Sequence, residues 1–312
     1  MILLEGTEFE REDPGVVAEY LSATPRECLD VNPSNLSVKH DGKYLMLQVV
    51  NGKVREYPIR KSFLFKLLKW YSFPVNQLQR LSMDTITGLC NDYLLNIKAD
   101  NVRVKTENGQ ALTIVSNKYN DFPDLEVIER CRGLGIDKIS RSDFVLRIYT
   151  HEKFKTEPVP GDACGFGLNI INSETGFGAL SITHYILRYV CTNGAVAPVE
   201  GADDSKVHYG NREGALEFFL NEQIRKAFES RFKLVKFLRE STGLKAEGFV
   251  KLIGLKVERL IGRRGWMEML EGLGESGTKY DLFNLITDKA KEFGVGQRLY
   301  LERVAGEMIV EQ

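Results

Sequence analysis

The chain has 312 residues, of which 43% are hydrophobic and 27% are charged, and its formal net charge at neutral pH is −1. This composition is that of a globular protein and excludes a largely disordered chain. A net charge near zero excludes an overall attraction to nucleic acid or anionic lipid, and no apolar run reaches the roughly 18 residues of a membrane-spanning helix. The five cysteines include no CxxC pair, and the start of the chain is acidic rather than basic. Both features predict a cytoplasmic protein with reduced thiols, no metal site and no signal peptide.

Charge is distributed unevenly along the chain. Residues 1–30 carry a net charge of −6, residues 31–204 of +2, residues 205–264 of +7 and residues 265–312 of −4. The polar stretch 200–205 follows Pro198 and marks a boundary. We therefore predict an acidic N-terminal segment (1–30), a mixed α/β domain (31–200) and a helical C-terminal region (206–312).

Hairpins and short helices alternate in the first half of the chain. Asn51-Gly52 and Asn108-Gly109 each lie between runs of strand-forming residues, which predicts two β-hairpins: 37–50 with 54–59, and 101–105 with 111–115. Apolar residues at helical spacing predict helices over 61–71, 84–96 and 124–132. Together they indicate an α+β fold with a largely antiparallel sheet.

Strands and then helices follow. Residues 144–149, 165–171 and 177–182 are predicted strands, with a tight turn at 173–176, and residues 184–190 are predicted as a helix. Beyond the boundary, amphipathic spacing predicts helices over 214–241, 243–261, 266–273, 280–293 and 299–310.

Four motifs resemble a known family. The stretch 167–194, with the core LNIINSETGFGALSITHYILRYVCTNGA, is similar to the signature of the phage- and plasmid-borne family of unknown function numbered 932. Ser116-Asn117-Lys118-Tyr119, Lys206-Val207-His208 and TKYDLFNLIT at 278–287 resemble further elements of that family, in the same order. The resemblance spans residues 36–308. It implies an origin in a phage or mobile element, and hence the cytoplasm of an infected or plasmid-bearing cell, but no catalytic residues.

The polar residues of this stretch, called here the signature residues, allow two interpretations. They are Asn172, Arg188, Cys191, Thr192, Asn193 and His208. As a site, the CTNG turn would offer backbone N–H groups and an amide to a phosphate. As structure, the same residue types close turns and local hydrogen bonds, which is the interpretation we favour.

Lys39-His40-Asp41-Gly42 matches the KxDG element of covalent nucleotidyltransferases such as DNA and RNA ligases. In those enzymes the lysine attacks the α-phosphate of a nucleotide. Glu247-Gly248-Phe249-Val250 resembles their later EGxV element, but the remaining elements are missing or misplaced. This alternative predicts catalytic roles for Lys39, Asp41 and Glu247, with ATP and Mg²⁺; no other cofactor is expected. The competing interpretation is a simple hairpin strand.

The basic block in the C-terminal region is the third candidate. It leads to an aromatic side chain and comprises Lys233, Lys236, Arg239, Lys245, Lys251, Lys256, Arg259, Arg263, Arg264 and Trp266. Such a helical surface suits phosphates, with Trp266 stacking on a base. The alternative is a solvated helix face with Trp266 in the core.

We therefore predict a phage-type protein of DNA metabolism that binds single-stranded nucleic acid, in annealing, replication or repair. The alternatives are the nucleotidyltransferase and a non-catalytic host-takeover or assembly protein. Whether the chain is an enzyme or forms oligomers stays open.

Overall fold

The described chain forms three antiparallel sheets followed by a group of helices. A computed structural model describes residues 3–120, 122–152, 154–189, 193–197 and 215–311. The strands are β1 (Phe9–Glu12), β2 (Arg26–Val31), β3 (Leu36–His40), β4 (Leu45–Asn51), β5 (Lys53–Pro58), β6 (Val102–Glu107), β7 (Gln110–Ser116), β8 (Ile136–Arg141), β9 (Leu146–Thr150), β10 (Lys155–Val159), β11 (Asp162–Asn172), β12 (Ser181–Arg188) and β13 (Asn193–Ala197). The helices are α1 (Pro14–Ala23), α2 (Lys61–Trp70), α3 (Met83–Leu95), α4 (Asp124–Cys131), α5 (Ala215–Ser241), α6 (Glu247–Leu273), α7 (Lys279–Lys289) and α8 (Val295–Val310). The predicted α+β fold with a helical C-terminal region is confirmed.

The two Asn-Gly hairpins form as predicted. They join β4 to β5 and β6 to β7, with Gly52 and Gly109 at positive φ (68° and 69°). The predicted strand 37–50 is divided, because a turn at residues 41–44 separates β3 from β4. Helices α2 and α3 cover the small sheets β3-β4-β5 and β2-β6-β7, and their apolar side chains form one buried core with these strands.

Seven of the described strands form the largest sheet, in the order β1-β8-β9-β11-β12-β13, with β10 also paired to β11. The long strand β11 pairs with β10 near its start and with β9 near its end. The predicted helix over 184–190 is wrong, because residues 184–188 continue β12 in register with β11 and β13. The acidic N-terminal segment contributes β1 to this sheet and β2 to the β6-β7 sheet.

Helices cover one face of the large sheet, to which Phe166, Leu168 and Ile170 of β11 all point, because side chains alternate along a strand. Leu168 and Ile170 of β11 are covered by α1, α4 and the first part of α5, and Phe166 is covered by the later helices. Helix α8 lies against β13, so closely that a Cβ on Gly306 would stand 2.1 Å from the carbonyl oxygen of Val196. This contact fixes the start of α8 beside β1 and β8, where Arg298 pairs with Glu10 (3.6 Å).

The predicted helices 243–261 and 266–273 are the two halves of α6, which breaks at Gly262 (φ 76°, ψ 158°). Trp266 in the second half packs against Gly254 in the first half. None of the described helices contains a segment that is both long and apolar enough to cross a bilayer.

Candidate functional site

The KxDG motif forms the turn between β3 and β4. The Asp41 carboxylate accepts hydrogen bonds from the backbone N–H groups of Lys43 (2.8 Å) and Tyr44 (2.7 Å). These bonds, that of Tyr44 first, lower the pKa of Asp41. Lys39 pairs with Glu56 of β5 at 2.5 Å, and both side chains are exposed. An exposed lysine paired with a carboxylate is the opposite of the desolvated, cation-flanked setting that activates a lysine nucleophile.

Glu247 lies elsewhere, at the start of α6. Its carboxylate is 80% exposed and pairs with Lys251 one turn later on the same helix. The contacts of Lys39 and Asp41 are with β4, β5 and their own turn. The predicted ligase site of Lys39, Asp41 and Glu247 is therefore not assembled in this structure.

The turn that follows β11, Asn172-Ser173-Glu174-Thr175-Gly176, is buried, although turns normally lie at the surface. The backbone carbonyl groups of its last four residues each accept a hydrogen bond from a side chain. Ser173 accepts from Tyr119 (2.6 Å), Glu174 from Lys105 (2.9 Å), Thr175 from Thr113 (3.0 Å) and Gly176 from Lys66. These donors satisfy the polar backbone that burial would otherwise leave without partners. The structural interpretation accounts for this part of the signature.

Charged side chains surround the same turn, and all of them except Arg26, which is 24% exposed, are almost completely buried. This buried charge network contains three arginines and four carboxylates: Arg26, Arg60, Arg141, Glu107, Asp124, Asp143 and Glu174. Glu107 is 0% exposed and accepts from all three arginines at 2.5–2.9 Å. Burial alone would raise the pKa of Glu107, but Arg141, Arg26 and Arg60 hold it at about 2.

Asp124 is a buried carboxyl group of this network. Burial, and then the neighbouring Glu174, raise the pKa of Asp124 to about 7. Its carboxyl group bonds Arg141 Nε (3.1 Å) and accepts from the Asn172 amide (2.9 Å). The network thereby ties the β2-β6-β7 sheet to the large sheet.

The two signature residues whose side chains the structure describes do not share a site. Asn172 bonds Asp124 at the end of β11, whereas Arg188 pairs with Asp162 (2.6 Å) at its start. Arg188 lies opposite Cys164 in the ladder, eight residues before Asn172, which is roughly 26 Å along a strand. Cys191, Thr192 and His208 lie outside the described residues, and so does the side chain of Asn193.

His184, predicted on a helix, is a buried residue of β12 that contacts Ser230 of α5 through its Nε2 (2.9 Å). Burial lowers the pKa of His184 to about 4, below its ordinary value near 6.5. As the pH falls, His184 therefore takes up a proton in the unfolded chain before it does so in the folded protein. The stability that is present above pH 6.5 is lost as the pH falls to 4. A shift of this size corresponds to about 3 kcal/mol.

We expect His184→Gln to reduce the loss of unfolding free energy between pH 7 and pH 4 by about 3 kcal/mol relative to the parent protein. Urea unfolding at a series of pH values measures this difference. All other titrating groups are common to both proteins, so equal pH dependence of the two would contradict a neutral, buried His184.

The basic block lies on the outside of α5 and α6. All nine of its lysines and arginines are exposed. Several have acidic partners: Lys236 with Glu240, Lys251 with Glu247, Lys256 with Glu307 and Arg264 with Glu268. Among the described residues, no carboxylate lies within 4.0 Å of the side-chain nitrogens of Arg259 or Arg263. We call Arg259, Arg263 and Arg264 the basic corner, because they flank the break in α6 at Gly262.

Trp266 is not placed to stack on a base. It is 5% exposed and belongs to the core under α6, where its indole contacts the backbone at Gly254. The predicted stacking role of Trp266 is therefore wrong for this structure. The ring instead holds the two halves of α6 together and so fixes the basic corner.

The residues of the buried charge network were not predicted from the sequence. Arg26, Glu107 and Glu174 are 67 to 148 positions apart, so no local spacing relates them. Glu107 also carries no local signal, because β6 (VRVKTE) contains two other charged residues.

No family model, no curated protein and no solved structure matches the chain. The resemblance to the phage- and plasmid-borne family therefore stays a prediction.

Proposed function

We propose that this protein binds single-stranded nucleic acid through the basic corner. The observation that carries the proposal is the exposure of Arg259 and Arg263 without a carboxylate partner in the described chain, on a segment with an excess of positive charge. Guanidinium groups that are not neutralised internally are available for phosphate oxygens. Binding releases the counterions condensed on the nucleic acid, which supplies most of the affinity at low salt.

Exposed apolar side chains next to the basic corner favour single strands over duplexes. Leu255 is 72% exposed and lies one turn before Arg259, and Met267 is 51% exposed just beyond Arg264. Bases in a single strand present apolar faces that such side chains can contact, whereas stacking in a duplex hides them. We place this activity in the DNA metabolism of a phage or plasmid, in the cytoplasm of the host cell.

Replacing Arg259, Arg263 and Arg264 by Ala is expected to weaken binding to a single-stranded oligonucleotide and to flatten its salt dependence. Three lost phosphate contacts correspond to a change of about 2 in the slope of log K against log salt. Fluorescence anisotropy with a labelled oligonucleotide at several salt concentrations measures both quantities.

The matched control removes the same charge elsewhere: Lys98, Lys118 and Lys138 are exposed and are replaced together by Ala. This control is expected to keep the parent slope to within about half a unit. Equal weakening by both triple variants would show that binding follows total charge, and the basic corner would lose its role. Absence of binding at low salt would favour the alternative in which the chain is a non-catalytic host-takeover or assembly protein.

A further inference from the structure

The outward face of α5 carries a symmetrical pattern of charge around an exposed phenylalanine. In chain order, the pattern is Arg225, Glu229, Phe232, Lys236 and Glu240. At 100° per residue these positions fall within about 80° of the helix circumference, and the buried side chains of α5 lie on the other side of the helix. The four charged side chains are 51–69% exposed. We call these five residues the α5 stripe.

Phe232 is the apolar centre of the α5 stripe and is 60% exposed. Its ring has fixed neighbours within the chain: the guanidinium carbon of Arg231 lies 4.9 Å from the ring centroid, and the ring of Phe154 lies at 6.1 Å. Phe228, one turn earlier on α5, is 38% exposed. Removal of phenylalanine rings from water is favourable, so two such rings on one exposed helix face suit contact with another protein surface.

The charges of the α5 stripe complement themselves when a second copy of the helix runs in the opposite direction. The midpoint of residues 225 and 240 is also the midpoint of residues 229 and 236, and it falls between residues 232 and 233. A two-fold axis at this point sets Arg225 opposite Glu240 of the second copy, and Glu229 opposite Lys236 of the second copy, each twice. The two Phe232 rings meet beside the axis. In a parallel pair, by contrast, each charge would face its own copy, and like charges would oppose each other at every level.

Two further basic residues of α5 are directed away from the stripe. Arg239 donates to the hydroxyl group of Thr156 on β10 (3.1 Å). The ammonium group of Lys233 stands 5.8 Å from the ring of Phe237, on the flank of the helix. The alternation of charge along the stripe is therefore not disturbed by these two cations.

Within one chain the four charges of the stripe form two pairs. Arg225 pairs with Glu229 (2.6 Å) and Lys236 with Glu240 (3.6 Å). Exposed pairs one turn apart on a helix keep most of their hydration, so each charge can take a second partner across an interface at little cost. We propose that the α5 stripe is the interface of a homodimer, in which two α5 helices pack antiparallel about a two-fold axis beside Phe232. Such an isologous contact uses the same surface of both copies.

The contact is short, and the dimer is expected to be weak. Residues 225–240 span about 24 Å of helix, which is a small interface, and a Kd of roughly 1–100 µM is expected. Sedimentation equilibrium of the full chain without nucleic acid, at concentrations on both sides of this range, measures the Kd. Phe232→Glu is expected to raise it by about tenfold or more, because it replaces two apolar rings beside the axis by two carboxylates. The altered side chain is exposed, so an unchanged melting temperature is expected.

An exchange of charge across the axis tests the antiparallel orientation. Glu229→Lys and Lys236→Glu are each expected to weaken self-association by about tenfold, since each sets like charges opposite each other at two places. When the two variants are mixed, opposite charges face each other again at both places. The mixed dimer is therefore expected to form with a Kd within about threefold of the parent value. Sedimentation velocity with one of the two variants fluorescently labelled measures the mixed dimer.

Glu268→Lys is the matched control. Glu268 pairs with Arg264 one turn earlier on α6 (2.8 Å), as Glu229 pairs with Arg225 on α5, so this variant should dimerise as the parent does. A parent protein that stays monomeric well above the expected Kd would overturn the proposal. A dimer that Phe232→Glu leaves intact, or a mixture that associates no better than the separate variants, would do the same. The α5 variants keep the basic corner, so its oligonucleotide binding and the dimerisation are tested independently.

Discussion

Replacing Glu107 by Gln is expected to lower the free energy of unfolding by about 3–5 kcal/mol. The variant keeps the shape of the side chain but leaves Arg26, Arg60 and Arg141 without their common carboxylate. Charges at this depth have lost their hydration, so their cost is offset only by mutual attraction. Urea unfolding monitored by circular dichroism at pH 7 measures the loss.

An exposed pair of the same chemistry is the control. Glu56 pairs with Lys39 at 2.5 Å, but both side chains are at least 40% exposed. Glu56→Gln is expected to leave the stability close to that of the parent protein, because surface pairs gain little over hydrated charges. A Glu107→Gln variant that is as stable as Glu56→Gln would contradict the structural role of the network.

The contribution of Glu107 to the free energy of unfolding is expected to decrease as the pH falls. Its pKa is held at about 2, below the ordinary value near 4.5, so the unfolded chain takes up the proton first as the pH falls. The stabilisation is complete above pH 4.5 and is lost as the pH falls to 2. Since Gln does not titrate, the difference in stability between parent and Glu107→Gln is expected to shrink over this range.

Local signals in the sequence predicted the hairpins and most of the helices. Asn-Gly pairs form turns through their own backbone preferences, so β4-β5 and β6-β7 could be assigned without knowledge of the rest of the chain. The amphipathic spacing of α2 and α5 was similarly sufficient.

Strand β12 could not be identified in this way. Ile182 and Ile186 point to one face of the sheet, where each belongs to a different core that helices cover, whereas Tyr185 packs with Tyr149 on the opposite face. A strand that is buried on both faces loses the alternation of apolar and polar residues, and its continuous apolar run also fits a helix. Only the pairing with β11 and β13 distinguishes the two.

The residues considered for function show the same difference between features that follow from local sequence and features that depend on long-range packing. The exposed basic corner follows from local composition, because lysines and arginines that alternate with apolar residues on a helix lie at its surface. The loss of Trp266 as a stacking residue does not follow from composition, because its position depends on the packing of the rest of the chain. The burial of Trp266 also depends on the break at Gly262, which folds one half of α6 onto the other.

The Gly165-Phe166-Gly167 motif marks a second position of large expected effect. It resembles the beginning of a phosphate-binding loop, but both glycines lie within β11. There the chain leaving β9 crosses over the strand, and Glu152 donates its backbone N–H to the carbonyl of Phe166 (2.8 Å). A Cβ on Gly167 would lie 1.8 Å from the carbonyl oxygen of Thr150. The motif is therefore a close backbone approach rather than a nucleotide site.

Gly167→Ala is expected to destabilise the protein by about 3 kcal/mol or more, since the methyl group meets backbone that cannot rotate away. The same change at Gly88 is the control, because that residue lies inside α3 with no atom within 4 Å of an added Cβ. Gly88→Ala is expected to stabilise by up to about 1 kcal/mol through helix propensity. Urea unfolding of both variants measures the two changes in the free energy of unfolding, which are expected to have opposite signs. A Gly167→Ala protein as stable as the parent would show that β9 and β11 are not in contact at this position.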